Sequence, residues 1–406
     1  MPVDPRYIAW CEHCGWNLKP YQPAQPRAML STLYANLGDR LGRSMFEQLV
    51  GAPSLAPALT LPIVLAVVLA AMIHASTLVS LLFGLWLIAA HWFNLFAILG
   101  GMLLIWLAWV LRPRLPRFPE HPLPPTEYPG LYGLTDLVVQ ALEAPPIAAI
   151  VITPDFNAAY SFAGWRRRPV LRLGLPLLTV LDDRETVALI GHEVAHAVNG
   201  DATSGFFVGS AINTLAIWYT LLYPDRLMLH TQYRRSIITV FTNLILVCLA
   251  GLIGFIASGL THLLWRDAQR AEYLADHLAA EVAGTEATLS MLDKLHLGPM
   301  ASGAAQRLAV STAAGDLFAE LRDLAGAMPE HERRRLRAMA RLEASRLDAS
   351  HPPTSFRVAL LEQRPIAMPA VHVPGTLWRV AQDEMNRLAP PMQRRILDLY
   401  RARLYR

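Results

Sequence analysis

The sequence predicts a mainly α-helical chain in which multi-pass membrane helices join a helical domain that contains a small β-sheet. Three observations lead there. No Asp, Glu, Lys or Arg occurs from Gln48 through Leu111, a run of 64 residues, and two further uncharged runs follow, 23 residues from Ala202 to Pro224 and 30 from Ser236 to Trp265. Thr285 to Asp348 and Trp378 to Tyr400 carry apolar residues at helical spacing. Between residues 148 and 173, β-branched residues and turn residues alternate as they do in strands.

Residues 1–47 form a polar, proline-marked N-terminal region, which is not the pattern of a cleaved signal peptide. Within it, Cys11-Glu-His-Cys14-Gly-Trp has the form of one knuckle of a zinc ribbon, but the chain holds only three cysteines and no second such pair. His13 lies between the two sulfurs, too close to complete a tetrahedral site. Two readings stay open: a second zinc at Cys11 and Cys14, shared between two subunits, or a remnant of a ribbon. Cys248 lies in an apolar run and reads as a small core residue.

A spanning helix needs about 20 apolar residues, so residues 48–112 are expected to hold two transmembrane helices. The turn between them falls at His91-Trp-Phe-Asn94 or at His74-Ala-Ser-Thr77. Arg40 and Arg43 precede this block, and Arg112, Arg114 and Arg117 follow it, which places both flanks in the cytoplasm. Seven prolines in residues 113–129 make a stiff linker to a domain spanning 130–364. There Ala148 to Thr153 reads as a strand, and Asn157 to Ala163 with Pro169 to Leu173 as a hairpin. The runs at about 202–265 form a membrane hairpin within that domain. Pro390-Pro391 interrupts the helical pattern of the C-terminal tail, 365–406, and Arg333 to Arg346 reads as a solvated face.

The chemistry concentrates in two short segments. His192-Glu-Val-Ala-His196 places two imidazoles one helical turn apart, so both can reach one metal ion, with Glu193 beside the water that such an ion holds. Two surface histidines on an amphipathic helix are the competing reading. Downstream, Arg270-Ala-Glu-Tyr-Leu-Ala-Asp276 puts Glu272 and Asp276 on one face of a partly buried helix, where two carboxylates need a cation or a basic partner. Two histidines and a glutamate are a common catalytic zinc set; Glu272 is then the third ligand, and Asp276 suits the free ring N–H of a ligand histidine. If His196 and Glu272 share one ion, the chain between them crosses the membrane twice or not at all. Arg226, Arg234 and Arg235 sit awkwardly in an outward-facing loop, so a hairpin that only partly enters the bilayer stays open.

With Ser350-His-Pro-Pro-Thr-Ser-Phe-Arg357 and Asn157-Ala-Ala added, these motifs resemble the HtpX and CAAX-prenyl-protease family of integral-membrane zinc metallopeptidases, over roughly residues 127–364. The resemblance implies a gluzincin-type peptidase domain with His192, His196 and Glu272 as ligands of one catalytic zinc, Glu193 as base and Asp276 behind them. It also implies that His351 and Arg357 lie near the substrate or the developing oxyanion. Asn157 and Ala158 would belong to an edge strand that binds substrate in extended form.

Composition agrees with the membrane expectation: 53% hydrophobic and 17% charged residues are not the profile of an ordinary soluble enzyme. The net charge is +4, with no basic stripe interleaved with aromatics, so nucleic acid is not an expected partner. Lys19 and Lys294 are the only lysines, an arginine bias that fits a GC-rich bacterial genome. The sequence therefore points to a membrane-bound zinc endopeptidase at the cytoplasmic face of a bacterial cell membrane, with the lipid bilayer and membrane-associated or misfolded proteins as partners. Two alternatives remain: a protease for lipidated C-terminal peptides, and a catalytically silent scaffold that recruits partners.

Overall fold

The computed structural model describes residues 7–18, 29–55, 60–114, 116–164, 166–199, 201–223, 237–311, 315–342 and 351–404. Lys19, Pro224, Arg226, Arg234, Arg235, Ser236, Arg346, Asp348 and Ser350, named above, lie outside them. In chain order the described helices are α1 (Met29–Val50), α2 (Leu61–Ala90), α3 (Leu95–Leu111), α4 (Pro129–Ala141), α5 (Leu175–Val180), α6 (Asp183–Val198) and α7 (Asp201–Leu222). There follow α8 (Ile237–Ala283), α9 (Thr285–Leu295), α10 (Gly298–Val310), α11 (Leu317–Gly326), α12 (Glu330–Arg341), α13 (Thr354–Gln363) and α14 (Gly375–Leu404). The strands are β1 (Ala149–Thr153), β2 (Ala158–Ala163) and β3 (Arg168–Gly174). Two compact units emerge: Met1–Pro57 with Arg117–Asp201 and Ala268–Arg406, and Ala58–Pro116 with Ala202–Asp267.

In the first unit the three strands make one sheet in the order β1-β3-β2. The β1–β3 pair is parallel, from Ala149 opposite Val170 to Thr153 opposite Gly174. β2 and β3 form the expected antiparallel hairpin, with Ala158 opposite Leu173 and Ala163 opposite Arg168, which leaves β2 at an edge. Ile150, Leu171 and Leu173 are fully buried in a core shared with α4, α5, α6 and α9. Each such side chain contributes about 1.5–3 kcal/mol on burial.

The helix that carries the two histidines starts where it does because Asp182 caps it. Asp182 Oδ1 accepts from Glu185 N at 2.8 Å, and Glu185 Oε2 accepts from Asp182 N at 2.7 Å. Glu185 is itself buried and paired with Lys294 at 2.6 Å, which ties α6 to α9. Close packing of α6 against α8 depends on Gly191. A Cβ there would lie 2.5 Å from Val282 Cγ2 and 3.3 Å from Ala279 Cα, so any larger residue would push the two helices apart.

The terminal segments belong to the same unit. Buried Glu384 of α14 accepts from Gly130 N at 2.7 Å and Leu131 N at 2.8 Å, satisfying orphan donors at the start of α4. Pro390 and Pro391 do not interrupt α14, which runs from Gly375 to Leu404. Its face of Ala381, Met385, Met392 and Ile396 is buried in the core, and that packing offsets the lost backbone bonds. In the arginine-rich stretch Arg333, Arg334, Arg337 and Arg341 are exposed, as a solvated face requires, and Arg335 departs from that expectation. Arg335 of α12 is buried, with Glu332 Oε1 at 2.7 Å, and it donates to Leu18 O at 3.1 Å. Arg337 pairs with Asp293 of α9. Glu332, one turn earlier on α12, and the distant Leu18 carbonyl together take the Arg335 charge out of water, whereas Arg337 stays exposed.

In the second unit the first turn falls at His91–Asn94, and Asn94 accepts from Phe96 N at 3.0 Å to cap α3. His74 to Thr77 lie inside α2 instead. Two glycines let α2 and α3 touch: a Cβ on Gly101 would lie 2.6 Å from Gly84 O. Ala66, Ala70, Val208, Ala211, Leu215 and Leu260 form the small core of this unit, while Leu65, Val68, Phe83, Trp86 and Phe255 are exposed. Leu61–Ala90 and Phe241–Ala283 are long and apolar enough to cross a membrane; Leu95–Leu111 and Phe207–Leu222 are shorter apolar helices. α8 continues unbroken past the end of the uncharged run at Trp265, because residues 266–270 contain no Pro or Gly to stop it.

Candidate metal centre

α6 and the polar end of α8 bring the sequence-predicted ligands together. His192 Nε2 lies 3.6 Å from Glu272 Oε2, and His196 Nε2 lies 3.6 Å from Glu272 Oε1. The donor atoms of His192, His196 and Glu272 all fall within 4.8 Å of one another. Tetrahedral donors about 2.0–2.1 Å from a zinc ion stand roughly 3.4 Å apart, so the arrangement fits a single ion. The imidazole planes of His192 and His196 are 89° apart, which directs their nitrogens inward without stacking.

Behind the ligands lies a chain of buried polar groups. His192 Nδ1 is 3.0 Å from Asp276 Oδ1, so the ring N–H has an acceptor and Nε2 is left for metal. Asp276 also accepts both arms of Arg357, Nε at 2.7 Å and Nη2 at 2.6 Å. Burial alone would push the Asp276 carboxyl up; the Arg357 charge, its hydrogen bonds and the bond from His192 reverse this and hold it far below the usual range. Burial likewise opposes the charge on Arg357, and Asp276 more than restores it, raising that guanidinium further.

Arg357 thus faces Asp276 and sits 3.5 Å from His192 Nδ1, on the side of that ring away from Nε2. His351, with 55% of its side chain exposed, places Nδ1 2.6 Å from Glu272 Oε2. Burial would raise the Glu272 carboxyl, but the His351 bond, with the charges of His192 and Arg357, brings it down to about 2. It is therefore an anion at any pH near neutrality.

Glu193 is buried, and its Oε2 accepts from the backbone N–H of Tyr160 at 2.9 Å. The edge strand β2 therefore touches the carboxylate next to the ligands. Asn157 O accepts from Gly174 N at 2.8 Å, so odd-numbered peptide groups of β2 turn toward β3 and those of Ala158 and Tyr160 turn outward. The Tyr160 contact has no sequence signature, since the residues are 33 apart. The Asp182/Glu185 capping box, by contrast, carries a local pattern, Asp-x-x-Glu ahead of an apolar run, that the sequence reading above did not use.

Residues 135–365, more than half of the chain, match peptidase family M48. The chain belongs to peptidase family M48. Similar proteins include protease HtpX of Nitrosococcus oceani, 30% identical over 158 residues, covering 37% of this chain and 50% of that protein. Protease HtpX of Alkalilimnicola ehrlichii is 28% identical over 157 residues, covering 37% of this chain and 48% of its own. That of Pseudomonas syringae pv. tomato is 28% identical over 152 residues, covering 36% and 48%. This M48 chain thus spans about half the length of the curated relatives it matches. No solved structure matches it.

Among the described residues, His192, His196 and Glu272 are the one group of three able to hold a metal; Cys11 and Cys14 are free thiols in a separate place. If Asp276 orients His192 while Glu272 ligates directly, their substitutions separate. Asp276→Asn should weaken metal affinity about 10–100-fold, whereas Glu272→Ala should lose most bound metal. Metal titration of both purified variants checks this, and equal losses would make Asp276 a ligand.

Proposed function

We propose that this chain is a membrane-bound, gluzincin-type zinc endopeptidase that hydrolyses peptide bonds of membrane-associated or misfolded proteins. The convergence of His192, His196 and Glu272 beside Glu193, itself held by the β2 edge, carries this reading. When bound, zinc supplies a Lewis acid that acidifies water and polarises the scissile carbonyl. Glu193 takes the proton from the attacking water and returns it to the leaving amine. The outward peptide groups of Ala158 and Tyr160 pair with an extended substrate, Asn157 setting the start of that strand. His351, exposed beside Glu272, is the donor assigned to the developing oxyanion. Arg357 acts from behind the ligands. Held by Asp276, it keeps that carboxylate charged and so fixes His192.

The apolar helices α2, α3, α7 and α8 are assigned to multiple membrane crossings, with the arginine-flanked ends and the active site in the cytoplasm. Comparing the proteomes of cells that express wild type and Glu193→Gln should reveal substrates as precursors that persist only with the variant. No difference at matched expression would argue against proteolysis. A cysteine introduced at Asn157 should react with a membrane-impermeant thiol reagent only after the cells are opened, and labelling of intact cells would reverse the orientation.

A further inference from the structure

The cysteine pair near the N-terminus takes no part in the chemistry above, yet it is rigidly presented. Cys11 N donates to Trp16 O at 3.0 Å and Gly15 N to Cys11 O at 2.9 Å, and Gly15, with φ +68°, closes the turn in the left-handed region. This turn sets Cys11 and Cys14 three residues apart on one loop, and the Cys14 backbone N–H, the His13 backbone N–H and the Cys14 thiol hold the Cys11 thiol below its usual range. The knuckle is fastened to α12. Buried Trp10 donates to His331 O at 3.3 Å, Glu12 pairs with Arg334 at 3.1 Å, and Arg335 donates to Leu18 O at 3.1 Å.

Two thiols complete half of a tetrahedral site. No third His, Cys, Asp or Glu among the described residues stands in ligating range of the pair. The third cysteine, Cys248, lies in the apolar part of α8, and residues 1–6 and 19–28 contain neither Cys nor His. Among the described residues nothing else completes the site, which leaves two ligand positions for another molecule to fill. The face around the pair is open: Cys14 is exposed, and Trp16 keeps 66% of its surface in solvent although Trp10, six residues earlier, is buried. A large exposed ring beside a half-built site is the surface that a symmetric contact would cover.

We infer that Cys11 and Cys14 of two copies of this chain bind one thiophilic divalent cation, zinc by preference, and that this shared four-thiolate site joins the copies into a dimer. Four thiolates suit zinc because it accepts soft ligands in a closed tetrahedron. Each of the four thiols releases its proton to solvent as its sulfur binds, and no electron is transferred. Trp16 packs against the partner across the two-fold axis.

The test uses the full chain, purified in detergent with a phosphine reductant and loaded with zinc alone. Light scattering should give a dimer, and metal analysis about 1.5 zinc per chain, one at the His192 centre and half at the shared site. Cys11→Ser/Cys14→Ser should be a monomer with about one zinc per chain. His196→Ala should remain a dimer and keep the half equivalent, which separates this site from the catalytic one. A wild-type monomer with one or two zinc ions per chain would overturn the inference. So would a dimer that survives both serine substitutions, or one held only by a disulfide that the reductant breaks.

Discussion

Glu193→Gln is expected to leave zinc content and fold unchanged and to lower peptide cleavage by about 10²–10⁴-fold. A glutamine oxygen can still accept from Tyr160 N–H, now 2.9 Å from Glu193 Oε2, so the side chain keeps its place against β2. What it loses is basicity. The other carboxylates nearby are committed: Glu272 faces both histidines, and Asp276 is taken up by Arg357 and His192. Cleavage of a casein-type or fluorogenic peptide substrate by wild type and variant, with metal content measured on the same samples, checks the expectation. Undiminished cleavage with normal zinc would remove Glu193 from the chemistry and with it the reading of this centre.

Arg357→Met should act first on stability. It leaves the Asp276 carboxylate, 1% exposed, without its bidentate partner, and stranding a buried charge in this way costs about 3–5 kcal/mol. Thermal unfolding in detergent should show a drop of several degrees or more, accompanied by weaker zinc binding as His192 loses its fixed acceptor. Arg357→Met/Asp276→Leu should recover part of the stability but not the zinc affinity. In wild type, Asp276 is held well below the ordinary carboxylate value, so its stabilising contribution is complete above about pH 4 and is lost only in strong acid. Removing Arg357 raises that carboxyl, so the deficit of the variant should be large at neutral pH and shrink as the medium is acidified. A variant of normal stability with lowered kcat alone would instead place Arg357 beside the reacting carbonyl.

The His192, His196 and Glu272 group shows how far local sequence reaches. His192 and His196 are one helical turn apart, as are Glu272 and Asp276, so the 3.6-residue period alone puts each pair on one face. The hairpin was readable for a similar reason, since β-branched and turn residues act over a few positions, and the 64 uncharged residues ahead of Arg112 were readable from composition alone. What the sequence left open depended on partners far along the chain. Whether the turn fell at His74 or His91 was decided by Asn94 capping α3 and by glycine contact between α2 and α3. Arg335 looked solvated until α12 met the Leu18 carbonyl, and Pro390-Pro391 looked like a break until core packing held α14 through it. Arg357 and Asp276 are 81 residues apart, and Tyr160 and Glu193 are 33 apart. Local periodicity fixes which side chains share a face, but only the packing of one element on another decides which buried charge is neutralised by which. The grouping of His192, His196 and Glu272 was therefore legible in the sequence, and the buried groups around them were settled by the tertiary structure.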